Sequence, residues 1–210
     1  MSTFPEAGRP VRGGFVFVDP GSGRAIKTVP FQYNPDTVTR TLQPQGIGNE
    51  PGDRLEALRL KGPPHESYKF DAEFDATSAP ERYPDGLSPV LSALELSIYP
   101  TASQLVEEDR LAEDGKIEIA PAEAPLTVLV LGRKRVLPVR ITELSVAEEA
   151  FDGMLNPIRA KVSLGVRVLT VDDLGHSHKG GLLYLGYQRQ KEIHAGSVAH
   201  PLADVGLSTL

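Results

Sequence analysis

The chain has 210 residues, of which 40% are hydrophobic, with 22 basic and 28 acidic residues and a formal net charge of -6. This composition can fill one hydrophobic core, so it excludes a globally disordered chain. The acidic balance disfavours a nucleic-acid-binding protein, although it leaves a local basic patch open. The absence of Cys excludes disulfides, thiolate catalysis and Cys-type zinc sites.

Targeting signals are not evident in the sequence. The first residues lack an apolar signal core, and no stretch reaches the ~18 apolar residues that suggest a membrane-spanning helix. We therefore expect a protein that is made and folded in a cytoplasm without a signal peptide and that leaves the cell only in a larger particle or by lysis.

The first third of the chain predicts strands. Residues 13–19 and 25–33 form a predicted hairpin around the turn at 20–23. Asn34-Pro35 starts a second turn, and residues 37–42 extend the sheet.

The middle of the chain combines a strand with a helix. Tyr68 to Asp75 alternates strictly between aromatic or Ala residues and charged residues, which is typical of a half-buried strand. Ser88 to Ile98 has apolar residues at helical spacing and ends before Pro100. Glu107 to Glu123 is acidic and predicts a solvated loop or a short surface helix.

The second half predicts another hairpin and one long strand. Residues 126–131 and 136–146 flank a basic turn, and the strand from Ile158 to Val168 has one apolar face. Its other face carries the charged residues Arg159, Lys161 and Arg167. That face is either solvated, bound to a neighbouring subunit, or part of the wall of a tube lumen. We take these three residues as candidate subunit-interface residues.

The fold class that these elements predict is mainly β (α+β), an antiparallel β-barrel or closed sandwich with one flanking helix. This domain is predicted to cover residues 1–174. Residues 175–210 are predicted to form a flexible linker, over 176–181, and a C-terminal docking tail. Residues 182–193 of the tail could form a short amphipathic helix. This segment has further candidate interface residues and is too short to bury them alone: Leu182, Leu183, Leu185 and Ile193. A chain that ends at Asp173 is accordingly expected to fold.

Sequence motifs for phosphate binding, metal binding or catalysis are weak in this chain. Residues 21–28 superficially resemble a phosphate-binding loop, but that motif needs Gly before the Lys, and here Ile26 precedes Lys27. His176 and His178, near two Asp residues, lie in the predicted linker without a rigid frame for a metal ion. The sequence has no nucleophile elbow. We therefore expect no catalytic, metal or cofactor site, and no enzyme activity.

Four segments resemble the tube-like domain of baseplate proteins from contractile injection systems, the phage-tail-like particles of bacteria. They span about residues 15–171 and are Phe31-Gln32-Tyr33-Asn34-Pro35, Tyr68 to Asp75, Leu94 to Pro100, and Pro157 to Leu164. Relatives in this family often end in a peptidoglycan-binding lysin motif. The segment after residue 174 is too short for that motif, so peptidoglycan binding is not expected.

The resemblance implies a barrel of tail-tube type and a structural role. It implies a subunit at the junction of baseplate hub and tube, in several copies, whose partners are the other baseplate, hub and tube proteins. An inner-tube or tube-terminating ring subunit is the alternative within this class. A small β-barrel that binds a ligand or acts as an enzyme is the alternative from a different class.

Overall fold

The structure is a computed structural model, and it describes residues 11–19, 21–46, 59–113 and 124–209. The described residues form a seven-stranded sheet. The bounds of its strands in chain order are β1 (Gly14–Val18), β2 (Ala25–Pro30), β3 (Val38–Gln43), β4 (His65–Asp75), β5 (Leu126–Val130), β6 (Val136–Phe151) and β7 (Pro157–Val168). Their order in space is β2-β1-β5-β6-β7-β4-β3, and all neighbouring strands are antiparallel. The predicted mainly β class is confirmed.

The sheet is open over the described residues, which corrects the prediction of a barrel or closed sandwich. Its edges are β2 and β3, and closure would require these two strands to pair. Nearly all of their residues are exposed. Lys27 and Arg40 lie on them, and charged residues are a common protection of sheet edges against further pairing.

The turn between β1 and β2 is the predicted hairpin rather than a phosphate-binding loop. The Asp19 Oδ1 atom accepts a hydrogen bond from the Ser22 N–H at 2.6 Å. Gly23 has a φ of 65°, a left-handed conformation that Gly adopts readily. The chain therefore reverses direction here through an ordinary side-chain-stabilised turn.

The core lies on one face of the central strands, as the alternation predicts. Val162 and Val166 of β7 are fully buried, and they lie opposite Ala72 and Tyr68 of β4. Burial of such side chains is the main favourable contribution to folding.

Three Phe rings join the first hairpin to this core. The Phe31 ring lies edge-on to Phe15, with 5.6 Å between ring centroids, and to Phe70, with 5.5 Å. Such edge-to-face pairs stabilise a core beyond their buried area. They fix the segment after β2 against β4.

The predicted helix from Ser88 is α1 (Ser88–Glu95), with Leu91 and Leu94 buried. The helix ends at Glu95, so Ile98 does not continue its buried stripe, and the Ile98 side chain is 48% exposed. The acidic stretch is helical in its first part, within α2 (Ala102–Glu113). Residues 114–123 of that stretch lie outside the described residues.

The C-terminal part forms α3 (Val171–Leu174) and α4 (Lys179–Gly196). The flexible linker predicted over residues 176–181 is therefore wrong, because α4 begins inside it. Gly181 is buried, and a Cβ atom there would lie 2.0 Å from the Gly175 carbonyl oxygen. The adjacent Gly residues thus allow close backbone packing rather than free motion.

Candidate assembly interface

Charged residues of β4 and β7 share the side of the sheet that points away from the core. We call this set the outer face: Asp71, Glu73, Asp75, Arg159 and Lys161. Strand alternation places them there, because the residues between them are buried. The antiparallel register sets Glu73 opposite Lys161 and Asp75 opposite Arg159, so opposite charges meet across the two strands.

Ion pairs connect these strands. The Lys161 Nζ atom lies 2.9 Å from Asp71 Oδ2, and Arg159 Nη2 lies 3.2 Å from Asp75 Oδ2. The Ser163 hydroxyl also donates to Asp71, at 2.8 Å. Hydrogen bonds from Lys161 and then Ser163 lower the pKa of the Asp71 carboxyl, and Asp71 in turn raises the pKa of Lys161. Both groups are therefore charged at neutral pH.

A cleft of about 370 Å³ adjoins the outer face and is lined partly by Asn34, Asp71 and Lys161. Asn34 is fixed by two hydrogen bonds. Its Oδ1 atom accepts from the Gly13 N–H at 2.8 Å, and its Nδ2 atom donates to the Val11 carbonyl at 3.0 Å. The Asn-Pro turn thus has a defined position beside the charged strands.

Gln32 fixes the same loop to the end of β4. Its Nε2 atom donates to the Asp75 carbonyl and its Oε1 atom accepts from the Asp75 N–H, each at 2.7 Å. The structure therefore brings together three of the four family-like segments: 31–35, 68–75 and 157–164. The fourth, 94–100, lines a separate cleft of about 660 Å³.

Arg167, also predicted as an interface residue, is engaged within the chain. It pairs with Asp173 of α3, and Asp173 also accepts a hydrogen bond from the Thr170 N–H at 2.8 Å. Burial by itself would raise the pKa of Asp173, but the bonds from Thr170 and Arg167 hold it below its ordinary value. Arg167 thus anchors α3 to β7, and a contact with another subunit stays a prediction.

The four apolar candidates of the C-terminal segment divide into two groups on α4. Leu182 and Ile193 are 59% and 67% exposed. Leu183 packs against the cluster that contains Leu126, and Leu185 is half-buried. Docking of this segment on another protein stays a prediction.

The residues that hold α4 to the sheet escaped the sequence analysis. Tyr184 and Tyr187 are buried. Glu66, on the core face of β4, is 2% exposed. Its carboxylate accepts hydrogen bonds from Tyr187 at 2.6 Å, Tyr68 at 2.8 Å and Lys191 at 2.8 Å. We call Glu66 and these three partners the Glu66 cluster.

The Glu66 carboxylate is kept charged by its donors. Burial would raise its pKa, but the hydrogen bonds from Lys191, Tyr187 and Tyr68 bring it below its ordinary value. Burial is the main cause that raises the pKa of Tyr187, and the hydrogen bond to Glu66 raises it further. Tyr187 therefore stays protonated and donates. A buried charge with this many donors fits a structural contact between β4 and α4.

The part of the chain that the structure describes contains no group of three or more His, Cys, Asp or Glu residues that could hold a metal ion. No helix within residues 11–19, 21–46, 59–113 and 124–209 is long and apolar enough to span a membrane.

Comparisons with known proteins add little to this description. No protein-family model and no curated protein matches the chain. Among solved structures, the chain is similar to the tail of an empty gene transfer agent particle, determined with helical refinement and C6 symmetry. The similarity has 13% identity and a TM-score of 0.32, and it covers 75% of this chain and 90% of that chain. A similarity at this level does not establish a function.

Proposed function

We propose that this chain is a structural subunit of a contractile, phage-tail-like injection particle, at the junction between the central hub or tube and the surrounding baseplate. The observation that carries the proposal is the outer face. Three segments that resemble the baseplate family meet there, although they lie far apart in the sequence. The resemblance thus extends to one continuous surface of the folded chain.

The chemistry of the outer face supports an interface over a reaction centre. Both of its cations are paired with carboxylates across the strands. An interface of alternating charges fixes the register and the identity of a neighbour more than it adds affinity. We accordingly propose that the chain is not an enzyme and needs no cofactor, and that its partners are other proteins of the particle.

The position in the particle has one alternative. An inner-tube or tube-terminating ring subunit would use the same outer face, with Arg159 and Lys161 lining the lumen. The two positions predict different distributions: a baseplate subunit lies at one end of the particle, whereas an inner-tube subunit repeats along it.

Deletion of the gene in cells that make the particle tests the proposal. We expect electron microscopy to show particles without complete baseplates, and expression of the unchanged chain from a plasmid to restore them. Gold labelling of a tagged chain should mark one end of each particle. Labelling along the whole tube would favour the alternative, and normal, unlabelled particles in the deletion strain would contradict both.

A further inference from the structure

The hairpin that joins β6 to β7 ends in an exposed apolar tip. Phe151, Met154 and Leu155 are 46%, 85% and 78% exposed, which is unusual for a group of adjacent large apolar residues. Two exposed carboxylates, of Glu148 and Glu149, precede them on β6. We call these five residues the hairpin tip.

The hairpin tip is ordered by its own hydrogen bonds. The Asp152 Oδ1 atom accepts from the N–H groups of Met154 and Asn156, each at 2.8 Å. Leu155 has a φ of 65°, a left-handed conformation that is unfavourable for a residue with a side chain. The turn thus presents Met154 and Leu155 to solvent in a fixed geometry, which lowers the entropic cost of binding.

A basic cleft of about 480 Å³ lies at the turn between β5 and β6. Arg133, Lys134 and Arg135 on this turn are exposed. Among the described residues, no carboxylate forms an ion pair with any of these three. The cleft is completed by Arg40, Lys191 and the Tyr187 ring.

Only one carboxylate neutralises this cleft within the described residues. Glu66 lies 3.9 Å from Arg40 and 2.8 Å from Lys191. Five cations line the cleft, and Glu66 pairs with two of them, in a chain whose formal net charge is -6. Such a concentration of unneutralised positive charge attracts acidic groups of a partner.

The hairpin tip and the basic cleft lie at opposite ends of β6. This strand begins at Val136, next to Arg135, and ends at Phe151. Sixteen residues at about 3.3 Å per residue separate the two ends by roughly 50 Å. A hairpin tip therefore cannot enter the cleft of its own chain, but it can reach the cleft of another copy.

We propose that the hairpin tip of one copy binds in the basic cleft of a second copy. Glu148 and Glu149 would face Arg133 to Arg135, and the apolar side chains of the tip would enter the cleft beside the half-buried Leu131. The contact joins two different surfaces, so each copy can bind one neighbour through its hairpin tip and a second neighbour through its basic cleft. Such head-to-tail contacts build closed rings or stacks. This inference stands independently of the position proposed above.

Two charge-reversed variants test it, because each destroys a different half of the contact. The tip variant carries Glu148→Lys and Glu149→Lys, and the cleft variant carries Arg133→Glu and Arg135→Glu. Arg82→Glu, at an exposed position outside both surfaces, is the control. Sedimentation velocity over a range of concentrations and salt measures the association, and circular dichroism with thermal melting confirms that each variant folds.

We expect the purified unchanged chain and the control to associate, more weakly as salt rises. Each variant should lose about a hundredfold in affinity or more, because like charges then meet at the contact. In an equimolar mixture of tip and cleft variants, opposite charges meet at both contacts, because the intact tip faces the intact cleft and the reversed tip faces the reversed cleft, so the mixture should associate again. A chain with all four reversals should associate again.

Three results would overturn the proposal. The unchanged chain would stay monomeric at every soluble concentration, or both variants would associate as it does, or the mixture would stay monomeric. If a double variant does not fold, a single change at an exposed position takes its place: Lys134→Glu for the cleft or Glu149→Gln for the tip. The expected loss of affinity is then smaller. Failure here leaves the subunit proposal intact, since the gene deletion tests that separately.

Discussion

The two faces of β4 both carry carboxylates, and burial makes their roles different. On the core face, Glu66 is 2% exposed and is bonded to Lys191 of α4. On the outer face, the Asp71 and Lys161 side chains are 47% and 42% exposed. Breaking a buried pair leaves an unpaired charge in the core and costs about 3–5 kcal/mol, whereas an exposed pair contributes about 0–1 kcal/mol. The core face therefore stabilises the fold, whereas the outer face contributes little to it, as the proposed role in assembly requires.

A charge placed in the core without a hydrogen-bond donor should cause the largest loss of stability. Val162→Asp puts a carboxylate at a fully buried position of β7. The cost is several kcal/mol, comparable to the ~5–15 kcal/mol that stabilise a whole domain. We expect the variant to be insoluble or to melt without cooperativity in thermal scans. Ser145→Asp, at an exposed position of β6, is the matched control and should fold normally.

Removal of α4 should have the next largest effect. A chain that ends at Asp173 loses Tyr184, Tyr187 and Lys191 together, and it exposes core while Glu66 loses two donors. The sequence alone suggested that this shorter chain folds; the packing of α4 now predicts that it does not. Circular dichroism and near-ultraviolet spectra would decide, and native-like cooperative melting of the shorter chain would show that α4 is dispensable.

A single change in the Glu66 cluster should have an intermediate effect. Lys191→Met keeps the length of the side chain and removes its charge. Lys191 remains 30% exposed, so we expect a loss of about 2 kcal/mol, less than for a fully buried pair. Urea unfolding measures the change. Arg189→Met, on an exposed position of the same helix, should leave the free energy of unfolding nearly unchanged; equal losses would contradict the assigned role of the cluster.

The same cluster predicts a pH dependence. The pKa of Glu66 is lower in the folded chain than its ordinary value of 4.5, so the unfolded chain binds the proton more readily. Its contribution to stability is thus full above pH 4.5 and disappears as the pH falls through the lowered value. The difference in unfolding free energy between the unchanged chain and Glu66→Gln should shrink in acid. A difference that is constant from neutral to acid pH would argue against the lowered pKa.

Local patterns predicted much of this structure. The alternation in Tyr68 to Asp75 and in Ile158 to Val168 gave both faces of β4 and β7 correctly, because period two is fixed by strand geometry. Glu66 was missed because two of its three partners, Tyr187 and Lys191, lie on α4, more than a hundred residues away in the sequence, and only the fold shows that they meet. The spacing of Tyr184, Tyr187 and Lys191, at three and four residues, was the available signal for the buried side of this helix.

Two predictions were wrong: that the sheet closes, and that residues 176–181 form a flexible linker. Each error has a physical cause. Closure depends on whether two distant edge strands pair, which no local pattern specifies. The Gly180-Gly181 pair suggested flexibility, but Gly also serves where two backbones approach closely, and sequence alone does not separate these uses. The outer face was predictable as charged, whereas its ion pairs depend on the register between β4 and β7.

The most direct test compares stability and assembly in one variant of the outer face. Arg159→Ala with Lys161→Ala removes both paired cations. Because these pairs are exposed, we expect the purified variant to lose about 1 kcal/mol of stability or less, yet to be missing from particles isolated from cells that make no other copy. Normal incorporation would contradict the account, and so would a loss of stability as large as that of Lys191→Met, because the outer face would then serve the fold rather than assembly.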